Sequence, residues 1–320
     1  MKGHENMEQY SIELNNVKKC YKINEGTFLK KSIKEINAIS DIRLSIKKNE
    51  TVGLIGLNGA GKSTLIKIIL GILTPDSGDI EVFGRNPHKN RVDIMKNIGV
   101  VFGQRPQLRW DVSPYDSYKL NKEIYNIKFE KFEKTLNFLA SELDIKDFWE
   151  RPVRTLSLGQ KMRADLVAAL LHNPKVLILD EPTLGLDFIS KRKILRLIKE
   201  LKIDMSIIFT SHNLDDVYEV SDRVVLLNKG KIVFDKKTDD ISEVLQYVSI
   251  EIILGNKLLE FDGHMFPNIK IKEITESRYV ISNIQKKDMQ RILEYLYKYN
   301  ELVSFELREN TLEDILNGYA

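Results

Sequence analysis

Residues 56–64 read GLNGAGKST, a full match to the pattern G-x-x-x-x-G-K-[ST]. Glycines at 56, 59 and 61 let a backbone curl so that successive N–H groups face inward, which is the geometry that cradles phosphate oxygens, and a following helix adds its dipole. In such a loop Asn58, Gly59, Ala60 and Gly61 form the cradle, and Lys62 brings a full positive charge to the β- and γ-phosphates. Ser63 can place its hydroxyl on Mg²⁺, and Thr64 can reach an α-phosphate oxygen. A tight strand-to-helix turn also uses glycine, but this pattern arises by chance in roughly one chain in a hundred of this composition.

A second chemical signal is VLILDE at 176–181, a buried strand ending in two adjacent carboxylates. In enzymes with a phosphate loop such a strand is expected beside the loop's own strand, with Asp180 reaching the metal shell and Glu181 the attacking water. Two carboxylates at a strand end can instead cap the following turn, and the phosphate loop upstream favours the metal and water roles.

These residues need elements that hold them. Short apolar runs at 51–55, 98–102, 176–179, 206–210 and 224–227 read as strands of a parallel sheet buried on both faces. Helical patterns at 62–70, 159–172, 190–201 and 214–220 alternate with them, which predicts an α/β layered fold. Upstream, 11–17 and 41–46 alternate apolar and polar and predict antiparallel strands, with the lysine-rich stretch 22–37 an exposed insertion between them. Pro114 at a first helical position, and the spacing of Phe132, Leu136, Leu139 and Leu143, predict a helical insert over 113–156. After about residue 235, strand patterns at 248–254, 269–274, 279–284 and 302–307 and helices at 287–299 and 311–317 predict a small α+β appendix.

Between the two chemical motifs lies LSLGQ at 156–160, opening the helix that ends at Asn173 before Pro174. The phosphate loop, this pentapeptide, LILDEP and the later isolated His212 together resemble the ATP-binding subunits of ABC transporters, over about residues 10–235. The stretch VVFGQRPQLRWD and the C-terminal TLEDIL resemble the subfamily that serves ABC-2 type exporters. The resemblance implies an α/β P-loop NTPase core of the ABC ATPase type: a mostly parallel sheet with antiparallel N-terminal strands and a helical insert. Its domains are then an ATP-binding domain at 1–235, with a helical subdomain at about 104–172, and a small accessory or regulatory α+β domain at 236–320.

The implied cofactors are ATP and Mg²⁺. By the resemblance Gln104 is the glutamine that senses Mg²⁺ and the attacking water, joining Ser63 and Asp180 around the metal and Glu181, His212 and Lys62 in catalysis. Ser157, Gly159 and Gln160 match the signature that closes the opposite subunit's ATP site, with Ser157 a good N-cap; Asp187 matches the D-loop, and His212 the histidine that contacts the γ-phosphate. The commonest signature is LSGGQ, so Leu158 puts a side chain where backbone usually approaches closely. Tyr21 is the candidate platform for the adenine ring. His4, His88, His172 and His264 show no metal-ligand spacing, and the run Lys191, Arg192, Lys193 reads as a solvated helix face.

The implied partners are a second copy, two chains sandwiching two ATP molecules head to tail, and separate transmembrane permease subunits, contacted through the helical insert and Arg105, Arg109 and Trp110. Composition fits that picture. A net charge of +3 over 320 residues gives no footprint for a dedicated nucleic-acid binder, a single Cys20 fits a reducing compartment, and no apolar run is long enough to span a bilayer. The expected location is the cytoplasm, peripheral on the inner face of the cell membrane. The alternative is a soluble ABC-type ATPase acting on ribosomes or DNA; such proteins usually carry two cassettes or a long coiled coil, whereas this chain has one phosphate loop and no heptad run. A small-molecule kinase is disfavoured by LSLGQ and His212.

Overall fold

The computed structural model describes residues 10–25, 32–103, 107–240, 247–257, 266 and 269–308. Gln104, Arg105, His4, His264 and the stretch 311–317 lie outside the described residues. The chain divides into two compact units, Met1–Lys237 and Thr238–Ala320.

The first unit opens with a long antiparallel ladder of β1 (Tyr10–Glu25) and β2 (Ser32–Lys47). Of the stretch 22–37, expected as an exposed insertion, residues 22–25 continue β1 and residues 32–37 belong to β2. Lys22, Lys34 and Glu35 are exposed on that ribbon, and Lys22 and Glu35 pair at 3.3 Å, so polarity at these positions marks a solvated strand rather than a loop.

β3 (Thr51–Ile55) is buried at every position and feeds α1 (Lys62–Ile69) through the phosphate loop. The chain then passes through β4 (Ser77–Val82), which joins β1 to make the order β2-β1-β4, and α2 (Arg91–Met95) to β5 (Ile98–Phe102). The helical insert holds α3 (Pro114–Ile124), capped by Ser113 Oγ accepting from the Asp116 amide, and α4 (Phe129–Glu142), which buries Phe132, Leu136, Leu139 and Ala140 on one stripe. Next come α5 (Leu158–Leu170), β6 (Val176–Asp180), α6 (Phe188–Leu201), β7 (Ser206–Thr210), α7 (Leu214–Val220), β8 (Arg223–Asn228) and β9 (Lys231–Lys237).

The main sheet has the order β5-β6-β7-β3-β8-β9, parallel except for the edge strand β9. This corrects the expectation that the carboxylate strand β6 runs beside β3: β7 lies between them. Parallel strands end at one edge of the sheet, so the ends of β3, β6 and β7 still converge, and the crevice outside their carboxyl ends is where an open α/β sheet binds ligands. A single apolar core built from Ile12, Leu14, Ile42 and Leu44 on the antiparallel ladder, Leu65 and Ile66 on α1, and Val52, Ile178 and Val225 on the main sheet holds that edge rigid.

The second unit is a four-stranded antiparallel sheet, β10 (Tyr247–Leu254), β11 (Lys270–Thr275), β12 (Arg278–Gln285) and, after α8 (Met289–Tyr299), β13 (Leu302–Arg308), in the order β11-β12-β10-β13. Alternate residues Val248, Ile250, Ile252 and Leu254 of β10 are buried, and Ile292 and Leu296 of α8 are buried in the same cluster.

The solvated-face expectation for the run 191–193 is also corrected. Lys191 pairs with the buried Asp216 at 2.5 Å, Arg192 with Glu219 at 2.9 Å, and Lys193 with Asp144. The sequence of the run did not show that α7, with Asp216 and Glu219, and the turn after α4, with Asp144, lie against it. His172 stacks on Tyr125 with ring centroids 4.1 Å apart and approaches the Ile98 carbonyl at 3.1 Å through Nε2, a structural role.

Candidate functional site

Each part of the site is placed by a strand end or a helix start. Gly61, at φ 109°, turns the loop into α1, and a Cβ there would stand 2.5 Å from the Ala38 carbonyl oxygen, so only glycine fits. No side chain caps α1 at Gly61, which leaves the first-turn N–H groups of the helix available to an anion. Around them lies a cavity of about 750 Å³ lined by Ile36, Ala38, Leu57, Asn58, Gly59, Ala60, Gly61, Lys62, Ser63, Thr64, Lys67, Ile72, Phe102, Gly103, Asp180 and Glu181. That volume suits a nucleotide-sized ligand. Tyr21 pairs with Ile36 across the ladder, so the two side chains share a face; Ile36 lines the cavity and Tyr21 is not among the lining residues.

Lys62 folds onto its own loop, donating to the Gly56 carbonyl at 2.5 Å and to that of Leu57 at 3.5 Å. Burial pulls its ammonium below the ordinary lysine value, and the nearby Glu181 and Asp180 carboxylates oppose that pull. A phosphate chain bound in the cavity would add to the negative charge that these two carboxylates place beside the buried cation.

Asp180 accepts a hydrogen bond from Thr210 Oγ1 at 2.7 Å and faces Ser63 Oγ at 3.4 Å. These are hard oxygen donors, one carboxylate and one hydroxyl, and they fit the part-protein, part-phosphate shell that Mg²⁺ prefers. Bound there, the metal would neutralise charge on the phosphates. Ser63 and Asp180 would hold it.

Glu181 sits at φ 56°, a left-handed conformation unusual for glutamate. Thr210 enforces it: the Glu181 amide donates to Thr210 Oγ1 at 2.9 Å and to the Thr210 carbonyl at 3.2 Å. The conformation brings the carboxylate 2.9 Å from Nδ1 of the exposed His212. Glutamate, which lines the cavity, and the exposed histidine, which does not, thus form a pair able to orient a water and move a proton. Thr210 escaped the sequence reading, although its place at the end of the buried run SIIFT, two residues before His212, was the available signal.

Gly103 closes the floor. Its amide donates to the Asp180 carbonyl at 2.7 Å, and a Cβ on it would stand 2.1 Å from the Glu181 carbonyl oxygen. A side chain at 103 would push β5 away from the carboxylate strand just before the segment that carries Gln104.

The LSLGQ residues form a separate patch. Ser157 caps α5 by accepting from the Gln160 amide at 3.2 Å, and Gln160 Oε1 accepts from the Ser157 amide at 2.9 Å, a reciprocal capping box. Gly159 packs against the start of α6, where an added Cβ would come 2.6 Å from Ser190 Oγ and 3.2 Å from Asp187 Oδ2. Asp187 caps α6 through the Ser190 amide at 2.9 Å, and that bond holds its carboxyl below the ordinary range. Leu158 is 45% exposed and its Cδ2 lies 3.1 Å from the position of a Cβ built on Gly185, so its side chain lies over the turn before Asp187 and leaves the Ser157 and Gly159 backbone uncovered by that leucine. None of Ser157, Gly159, Gln160 or Asp187 lines the cavity around Lys62.

On α5, burial raises the Asp165 carboxyl from 3.8 to about 6, against the pull of two backbone N–H donors, Leu108 and Gln107. A folded value above the unfolded one means that this group's contribution to stability is complete below about pH 4 and is lost as pH rises through about 6. Asp165→Asn abolishes that dependence. The unfolding free energy of the wild type minus that of the variant should therefore fall by about 1 kcal/mol between pH 5 and pH 8 in urea titrations. A difference that stays flat or rises contradicts the assignment.

Comparison with known proteins gives a consistent picture. A family model described as ABC transporter matches residues 39–184. The chain is 28% identical over 227 residues to the ABC transporter ATP-binding protein NatA of Bacillus subtilis, covering 71% of this chain and 92% of that one. It is 33% identical over 230 residues to the lantibiotic transport ATP-binding protein SrtF of Streptococcus pyogenes, covering 72% and 97%. The fold is similar to the dimeric, post-hydrolysis structure of the ATP-binding cassette MJ0796 bound to ADP and Pi, with a TM-score of 0.63, 25% identity and coverage of 71% and 98%.

Proposed function

The chain belongs to the ABC transporter family of ATP-binding proteins, and from that premise we propose that it is the ATP-hydrolysing subunit of an ABC-2 type exporter. The observation that carries the reading is the split between two half-sites. The phosphate loop, Asp180 and Glu181 line one cavity, with His212 paired to Glu181 at 2.9 Å, while Ser157, Gly159 and Gln160 form a capped helix start outside it. The capping box takes up the Ser157 and Gln160 amides, and the Leu158 and Gly159 amides at the same helix start are left to face an anion. Two copies related head to tail supply to each other what each lacks: the phosphate loop of one and the LSLGQ helix of the other close on one ATP.

In that assembly Lys62 holds the phosphates, Ser63 and Asp180 hold Mg²⁺, and Gln104 joins that shell from the segment after Gly103. Glu181 polarises the water for in-line attack, and His212 keeps the carboxylate oriented and faces the charge that develops on the γ-phosphate. Closing on ATP and reopening after hydrolysis is the motion passed to separate transmembrane permease subunits. No helix among the described residues is long and apolar enough to cross a membrane. The contact is placed on the helical insert, where Trp110 is 62% exposed with the Lys161 ammonium 5.2 Å from its ring centroid. We assign the domains as 1–235 for ATP and 236–320 for an accessory, regulatory role, and the location as the cytoplasmic face of the membrane.

The test is co-purification. The tagged chain at native expression level, taken from gently solubilised membranes, should retain a stoichiometric multi-span membrane protein. Ribosomes or DNA in its place, with the membrane fraction empty, would overturn the exporter reading in favour of a soluble ATPase.

A further inference from the structure

β7 lies between the phosphate-loop strand and the carboxylate strand, and its last residue is in register with both: Thr210 stands opposite Leu54 of β3 and Asp180 of β6. All five residues of SIIFT are buried, and Thr210 is 0% exposed. A branched side chain suits that strand position, but valine would fill it without a polar atom, whereas a buried hydroxyl is costly unless it is hydrogen-bonded. This hydroxyl is used twice. Oγ1 of Thr210 donates to Asp180 Oδ1 at 2.7 Å and accepts from the Glu181 amide at 2.9 Å.

The direction of each bond is fixed. A backbone N–H can only donate, so Oγ1 accepts from Glu181 and its single proton goes to Asp180. Thr210 thereby occupies Oδ1 of Asp180, and the oxygen that remains is Oδ2, which faces Ser63 Oγ at 3.4 Å. On the other side the same hydroxyl shares the Glu181 amide with the Thr210 carbonyl, and the resulting φ of 56° turns the glutamate toward His212 Nδ1. Thr210 does not line the cavity, so it acts only through these two neighbours.

We propose that Thr210 is a positioning residue for hydrolysis: one hydroxyl sets both the Asp180 oxygen offered to Mg²⁺ and the backbone that aims Glu181. Strand pairing fixes the backbones of β6 and β7 but leaves the Asp180 carboxylate a broad choice of rotation about its last side-chain bond, and the Thr210 proton selects one. A partner that orients a metal-ligating carboxylate is typically worth about 10- to 100-fold in metal affinity or activity. The inference rests on the roles given to Asp180 and Glu181 above and adds the group that holds the two in fixed relation.

The test uses the full chain with Thr210→Val, which keeps the branched shape and removes the hydroxyl, and Thr210→Ser, which keeps the hydroxyl and removes the methyl. Amide hydrogen exchange at Glu181 is read first, without nucleotide. It should accelerate about 10-fold or more in the valine variant and stay within about threefold of wild type in the serine variant. With Mg-ATP, kcat in the valine variant should fall about 10- to 100-fold, and the free Mg²⁺ needed for half-maximal rate should rise about 10-fold. KM for ATP at saturating Mg²⁺ stays within about twofold, since misplacement rather than lost binding is the defect. The serine variant restores kcat and the Mg²⁺ requirement to within about threefold of wild type. Should the valine variant fail to fold, Thr210→Ala carries the same readouts. Unchanged exchange at Glu181 without the hydroxyl overturns the hold. Faster exchange with kcat unchanged overturns the positioning role, as does a serine variant no better than valine. A lower kcat with the Mg²⁺ requirement unchanged overturns the assignment for Asp180. A wild-type chain that does not hydrolyse ATP refutes the parent reading instead, and the exchange result still decides whether Thr210 holds Glu181.

Discussion

Glu181→Gln binds Mg-ATP within a few-fold of wild type and loses turnover by about 10³-fold, the central value for removing a general base. The geometry makes the effect specific. Glu181 is held in its left-handed conformation by backbone bonds to Thr210, which the amide variant retains, so the cavity walls do not move. The carboxylate itself contributes no donor to the phosphate loop; its side-chain partner is His212 Nδ1 at 2.9 Å. Glutamine keeps the size and one acceptor oxygen but cannot take a proton from water at neutral pH. Binding by calorimetry and phosphate release in single turnover separate the two effects. Turnover within threefold of wild type would remove Glu181 from the chemistry.

Lys62→Ala is the complementary case, because it attacks binding. The ammonium is buried, hydrogen-bonded to loop carbonyls and flanked by two carboxylates, so its loss leaves Asp180 and Glu181 without their nearest countercharge as well as the phosphates without theirs. Each charge-assisted hydrogen bond to a phosphate is worth about 1.5–3 kcal/mol, so the ATP dissociation constant should rise about 10- to 100-fold. Turnover should fall by a further 10²-fold or so, because the charge that develops on the transferring phosphoryl group is no longer met. Lys62→Arg should not restore it: a planar fork cannot reach back to the Gly56 carbonyl as the ammonium does. An alanine variant that binds ATP within twofold of wild type would show that this loop does not hold the phosphates.

Much of the site was legible because its signals are local. The strands 51–55, 98–102 and 206–210 show as short, mainly apolar runs, with a buried threonine or serine at an end of two of them, as expected where a strand is covered on both faces. Lys62, Ser63, Asp180 and Glu181 follow from motifs at strand ends, whereas the role of His212 came from family resemblance. The misreadings are of things local pattern does not carry. Strand order is one: nothing in VLILD or SIIFT says that β7 lies between β6 and β3. Exposed strands are another, for the lysine-rich arms of the β1–β2 ladder and the edge strand KIVFDKK lack a buried face at most positions. Thr210 and Asp165 belong to the same class. Their types are ordinary, and only the close approach of Glu181 to one and of residues 107–108 to the other gives them work. The roles of Ser157, Gly159, Gln160 and Asp187 came from family resemblance; the capping geometry is consistent with those roles, and a second chain is needed to complete them.

That second chain is the central claim, and sedimentation of the Glu181→Gln full chain tests it most directly. With Mg-ATP the account predicts a dimer that returns to monomer when the nucleotide is removed, and a monomer throughout when Ser157→Ala is added to the same chain. A Glu181→Gln chain that binds ATP stoichiometrically and remains monomeric at micromolar concentration would contradict it.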